Sequence, residues 1–286
     1  MKIIITITFL LAVISGCSIQ QIAIRSMGGL MENGFIVLNE ESDLDIAEKS
    51  AASNLKLLEA MIKSDPKNEK LLLLATMGYS SYALGFVEDD SPGRARNFYL
   101  RSKNYGMLLL KKNKAFAATT SGDLENFSNA LRTFSKSDIP LLFWTGIGWG
   151  SYVSLSLTEP EALADLPKVE AIMKYVAEND SSYFYGGAHF FLGALYGSRP
   201  KVLGGNPDEA KKHFEKCLHI NGGKFLMSYV YYARTYAVQI QDQNLFEELL
   251  TKVDETSIDV LPEARLSNAI AKNKAERLRN QINDLF

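Results

Sequence analysis

A pattern of small and large residues that recurs at one fixed offset constrains this chain more than any other feature. Within Tyr183 to Val238, Leu192-Gly193 followed by Tyr196 reads as one helix face, and Ala210, Phe214 and Cys217 read as the face of the next. Two helices joined by a loop approach closely where a small residue on one meets a large residue on the other. Gly193 and Ala210 supply the small side of that contact, Tyr196 and Phe214 the large side. Asn206 is placed to cap the second helix, and Pro207 fits its first turn, where no N–H partner is needed. Gly78, Pro92, Ala95, Tyr99 and Ser102 stand 115 positions before Gly193, Pro207, Ala210, Phe214 and Cys217. Five matches at one offset, each with a long loop between its helices, make an internal repeat.

The two signatures, L-G-x-x-Y and A-x-x-x-F-x-x-A with Cys217 in the last place, resemble those of a tetratricopeptide repeat, a helix pair that stacks on its neighbours. The expected fold is therefore all-α: degenerate tetratricopeptide-like helix pairs stacked into a superhelical or ring-like array. With 286 residues, 47% of them hydrophobic, the chain is able to bury a full core. A net charge of −2, with no polybasic run, gives no footprint for nucleic acid.

The first sixteen residues read as a targeting segment. Lys2 precedes the apolar run Ile3 to Ile14, which is shorter than the ~20 residues a membrane span needs. The run ends Ile14-Ser15-Gly16-Cys17, similar to a bacterial lipobox, so Cys17 is the candidate lipid-attachment residue. An ordinary secretory signal followed by an incidental cysteine is the alternative. Two or more acyl chains on Cys17 hold a protein stably at a membrane, and Ser18 favours the outer membrane over the inner. Residues 17–41 form a tether and first helix, interrupted at Gly28-Gly29, and residues 42–286 the helical domain. With Cys17 occupied, Cys217 has no disulfide partner and reads as a buried inert thiol.

Along the mature chain, Asp43 caps a helix that Asp65-Pro66 stops, and Lys67 to Phe86 reads as one buried helix. Val87 to Ser91 is a loop. The helix opened by Pro92 has a basic side (Arg94, Arg96, Arg101, Lys103, Lys111, Lys112), read as a solvated face. Ile139 to Leu157 is the most apolar mature segment and carries both tryptophans. At ~100° per residue, Trp144 and Trp149 lie about 140° apart. They cannot share a face, so one is expected in the core and the other toward a cavity or partner. Gly146 and Gly150 share a side and permit a neighbouring helix to come close. Pro262 to Phe286 reads as a charged amphipathic terminal cap.

No catalytic or metal motif emerges. Gly223-Lys224 lacks the spaced glycine of a P-loop, and Gly146-x-Gly148-x-Gly150 fails G-x-G-x-x-G because Ser151 holds the last place. His213 and His219 are spaced wrongly for chelation from one helical face, and each of the three histidines reads as solvated or hydrogen-bonded. Carboxylates are scattered at helix starts and surfaces. The expectation is a non-enzyme with no cofactor and no metal.

The lipobox Ile14 to Cys17, Tyr79 to Arg101 (YSSYALGFVEDDSPGRARNFYLR), Phe143 to Gly150 (FWTGIGWG) and Leu192 to Glu215 together resemble the T component of TRAP (tripartite ATP-independent periplasmic) transporters. The resemblance implies a homotrimeric periplasmic lipoprotein that partners the solute-binding P component. It also implies a cavity or pore in each subunit and delivery of a small hydrophobic or organic-acid ligand. By position, the cavity candidates are Phe143, Trp144, Trp149 and Tyr152. In the loop Ser198 to Gly205, Arg199 and Lys201 are candidates for partner or anion contact, with a structural turn as the competing reading. A scaffold lipoprotein that binds peptides or barrel precursors in an open groove is the alternative function.

Overall fold

The computed structural model describes residues 19–120 and 122–286; the signal segment and Cys17 lie outside them. Helices α1 (Ile19–Asn39), α2 (Leu44–Ser64), α3 (Glu69–Tyr82) and α4 (Pro92–Leu110) build the N-terminal part. Then follow α5 (Leu124–Leu131), α6 (Ile139–Ser154), α7 (Leu166–Asn179), α8 (Tyr183–Gly197) and α9 (Pro207–Asn221). Helices α10 (Met227–Tyr231), α11 (Gln243–Glu255) and α12 (Arg265–Asn280) complete the array, and no strand occurs among the described residues. Side-chain caps start many of the helices. Asp43, Asn68, Asp123, Asn206 and Asp242 each accept from backbone N–H groups of the first turn that have no helical partner.

Both halves of the repeat fold as helix pairs. Helix α3 packs on α4 and α8 on α9, with Ala95, Tyr99 and Ser102 buried in the first pair and Ala210, Phe214 and Cys217 in the second. The two glycines differ in partner. A Cβ at Gly193 would sit 3.0 Å from the Phe214 ring across the pair, whereas one at Gly78 would meet Leu55 and Phe35 of the preceding helices. Apolar on every side, α6 is covered on every side. Gly146 and Gly150 face Met173 of α7 and Phe191 of α8, and Gly148 faces Ser102 of α4.

Three boundaries depart from the sequence reading. Helix α1 runs unbroken through Gly28-Gly29, because Ile24 and Met31 anchor its inner face in the core; tertiary burial outweighs the ~1 kcal/mol each glycine costs. The helix expected over Lys67 to Phe86 ends at Tyr82 and continues as a π-turn, Ala83–Val87, closed by Glu88 N–H to the Ala83 carbonyl at 2.9 Å. A second π-turn, Tyr232–Ala237, follows α10. The C-terminal segment is also more than a cap. Helix α12 packs on α10 and α11 and reaches α1 and α2, so helices from the two ends of the described chain meet.

Two hydrophobic cores result. One is built by α1 to α4 around Leu58, Leu71, Tyr79 and Tyr99; the other, built mainly from α5 onward, lies around Phe143, Trp149, Phe214 and Phe246.

Candidate functional site

A chamber lies where the two cores meet, and both contribute to its wall. Leu55 and Tyr82 come from the first core; Phe143, Trp144, Ile147, Phe190, Phe225 and Met227 come from the second. Helix α12 closes it with Leu266 and Ile270. About 130 Å³ of its space is open to the centres of water molecules, several times the ~10–15 Å³ that one water requires. Among the described residues no Asp, Glu, Lys, Arg or His lines it; its polar members are Asn39, Asn54 and the hydroxyl residues Ser80, Ser81, Tyr82 and Ser267.

The aromatic wall is set by an unusual turn at the start of α8. Phe184, Tyr185 and Gly186 have φ of 47°, 60° and 81°, three successive residues in the left-handed region. For the two aromatic residues this costs roughly 1–2 kcal/mol each. It turns the Phe184 ring into a cluster with Phe143, Trp144 and Phe225, at centroid distances of 5.6, 4.8 and 5.9 Å. Phe225 is fixed in turn by the fully buried Asn268, which accepts from Leu226 N–H at 2.9 Å and donates to the Lys224 carbonyl at 3.0 Å. Beneath the turn, Asn221 donates to the Tyr185 carbonyl at 3.2 Å, and Cys217 lies 3.3 Å from Ser228 Oγ with burial pushing its thiol up to about 11.

The first π-turn is a wall common to three spaces, and π-turns concentrate at functional sites. Leu84, with Ile147 and Phe190, separates the chamber from a recess lined by Glu88, Ser151, Tyr231 and Arg234. Gly85 and Phe86, with Ile270, separate it from a recess lined by Asp45, Glu48, Asp89, Asp90 and Arg277. The segment after this turn carries three successive carboxylates that hold the halves together. Glu88 accepts from Tyr99 and from Tyr231 at 3.1 Å, Asp89 pairs with Arg234 at 3.0 Å and with Lys274, and Asp90 pairs with Arg277 at 2.6 Å.

The four aromatic candidates do not form one site. Phe143 and Trp144 stand on the chamber wall, with the Trp144 indole donating to Tyr183 Oη at 3.2 Å. Trp149, 2% exposed, is directed away from the chamber: its indole donates to Asp165 at 2.8 Å and Lys103 Nζ lies 4.7 Å over its ring. Tyr152 lies beside it, under Arg96 at 5.3 Å and Lys103 at 5.4 Å. The 140° between the tryptophans thus separates a wall from a packed ion-pair cluster. Arg199 is buried instead of exposed on the loop: it is 5% exposed, its Nε donates to the Leu195 carbonyl at 2.9 Å, and burial lowers its pKa. Lys201 is exposed in the 3-10 turn that follows. The basic side of α4 is largely paired instead of simply solvated, through Arg96 with Glu159, Lys103 with Asp165, Arg101 with Glu59 and Lys112 with Glu69.

Phe184, Phe225 and the π-turn residues were missed by sequence reasoning. Their signal was faint: an aromatic run broken by Gly186-Gly187, and a glycine pair before Lys224-Phe225. The histidine pair was missed as well. His189 of α8 and His213 of α9 face each other with Nδ1 atoms 2.8 Å apart, and Ser181 Oγ lies 3.0 Å from His189 Nε2. The three-residue metal clusters that such a pair would need do not occur among the described residues.

The model of the TRAP transporter T-component family matches residues 40–286. An uncharacterized protein of Treponema pallidum (strain Nichols) is similar to the chain, at 24% identity over 307 residues that cover 95% of this chain and 94% of the relative. The T component is an accessory part of TRAP transport, and TRAP systems are membrane-associated and periplasmic. With the family model spanning nearly all of the helical array, this chain belongs to the TRAP transporter T-component family.

Proposed function

We propose that this protein is a lipid-anchored accessory subunit that exchanges a small apolar ligand with the periplasmic solute-binding component of a TRAP system. The observation that supports this most is the central chamber, with its aromatic wall and no charged residue among the described residues that line it. Sites for small molecules are concave and predominantly apolar with a few polar groups. A space closed by helices from both ends of the chain favours solute handling over an open peptide groove. Cys17 is the anchor in this reading. The apolar residues Met27, Leu30, Ile36 and Val37, exposed on α1, offer a docking surface for the solute-binding component or for further copies of the subunit.

Purification of the tagged, lipidated protein from its own cells in mild detergent, with mass spectrometry of what accompanies it, tests the proposal. A periplasmic solute-binding protein is expected, and Leu30→Glu with Val37→Glu is expected to weaken its recovery. Recovery of β-barrel assembly proteins without a solute-binding protein would overturn the transport reading.

A further inference from the structure

Four of the chamber's six polar residues are segregated from its aromatic wall, while Ser80 and Tyr82 are buried within it. Asn39 and Ser81 are exposed and Asn54 and Ser267 half-buried, whereas Phe143 and Trp144 are buried. The four polar residues come from α1, α3, α2 and α12, and they sit where the chamber meets solvent. None of the four side chains makes a hydrogen bond to another described residue. Ser80 differs: its hydroxyl is engaged by Ser102 Oγ at 2.6 Å. The chamber thus has an apolar floor and a rim of unengaged, uncharged donors and acceptors.

We infer that the chamber takes a neutral amphiphile, with its apolar body on the aromatic wall and an uncharged hydroxyl or amide head at Asn39, Asn54, Ser81 and Ser267. This inference rests on the reading of the chamber as a ligand site. Amides and hydroxyls each donate and accept, so they complement a head that does both. A carboxylate head finds no cation among the described wall residues, so it gains no charge pairing there. The cations of the two adjoining recesses are committed elsewhere: Arg234 to Asp89 and Arg277 to Asp90. An ammonium head is disfavoured for the matching reason, since no carboxylate lines the chamber. Apolar cavities of about 150 Å³ take up benzene, so the volume suits an apolar body of at least about six heavy atoms.

The test uses the mature chain carrying Cys17→Ser, so that no detergent competes for the chamber. Displacement of a fluorescent naphthylamine probe is followed with octane, 1-octanol, octanamide, octanoate and octylamine at pH 7.5. The expected result is that 1-octanol and octanamide bind at least tenfold tighter than octanoate and octylamine. Asn54→Leu is expected to weaken the two neutral amphiphiles about tenfold without weakening octane, and Ser81→Ala to do so by a smaller factor, with the helical circular dichroism of both variants unchanged. Octanoate or octylamine binding as tightly as 1-octanol overturns the inference and leaves the ligand-site reading standing, as does an equal loss for octane and 1-octanol in Asn54→Leu. Failure of every compound to displace the probe overturns both.

Discussion

His189 and His213 share one hydrogen bond between their Nδ1 atoms, in which one ring donates and the other accepts. Protonating the accepting nitrogen would set two N–H groups against each other. Burial, and then the neighbouring His213, holds His189 down at about 4, and burial also lowers His213. Glu209 and Glu170 act in the opposite sense on His213, while Lys174, Lys212 and Lys216 reinforce the lowering on one ring or the other. Both folded-state values lie below the unfolded value of ~6.5. The pair's contribution is therefore complete above about pH 6.5 and is lost as pH falls toward 4. Both rings are partly solvated, so the loss is discounted to the order of 1 kcal/mol between pH 7.5 and 5. Urea unfolding at the two pH values checks this. His213→Asn should remove most of the difference, and an unchanged pH dependence in that variant would rule the pair out as its source.

At the scale of elements, the crossing of α4 and α6 depends on the absence of a side chain at Gly106. A Cβ there would overlap the Thr145 hydroxyl and crowd its methyl group. Thr145 is fully buried and its Oγ has no hydrogen-bond partner among the described residues, so close packing is retained at the expense of an unsatisfied hydroxyl. Gly106→Ala is expected to destabilise by about 1–3 kcal/mol through overpacking. Thr145→Ala should recover a large part of that loss, giving a coupling of ~0.5–3 kcal/mol in a double-mutant cycle. Additive effects in denaturant titrations would show that the two residues do not share the contact. The π-turn after α3 works at the same scale. The extra residue in its turn brings Leu84, Gly85 and Phe86 onto the partitions between the chamber and its two neighbouring recesses.

For the whole molecule, the carboxylates after that π-turn join the two cores around the chamber. Lys274 is 4% exposed, and its ion pair is with Asp89, which also holds Arg234. Removing one partner of a buried pair leaves an uncompensated charge, typically at a cost of about 3–5 kcal/mol. Asp89→Ala is expected to lose stability in that range and to weaken probe binding in the chamber, because the lost contacts span the seam where the chamber lies. Asp89→Ala combined with Lys274→Met should restore much of the stability. Chemical denaturation of both variants checks the pair, and a double variant no more stable than Asp89→Ala would remove the buried charge as the cause.

The helices and their pairing were legible in the chain because their causes are local. Caps such as Asp43 and Asn206, the Pro residues in first turns, and the small-large pattern around Ala95–Tyr99 and Ala210–Phe214 act within one helix pair. The 140° between Trp144 and Trp149 was equally local, and it foretold that they must part. It could not tell which of them meets a void, since that depends on α1, α2, α3, α8 and α12, drawn from both ends of the chain, closing around Trp144. The same holds for Arg199, whose burial in the folded chain no local pattern announces. The left-handed run Phe184 to Gly186 is opposed by local preference and is held by the contacts of its rings with Phe143, Trp144 and Phe225. Local sequence physics therefore set the elements and their matched faces. Where long-range packing leaves space, and which side chains border it, only the assembled array decides.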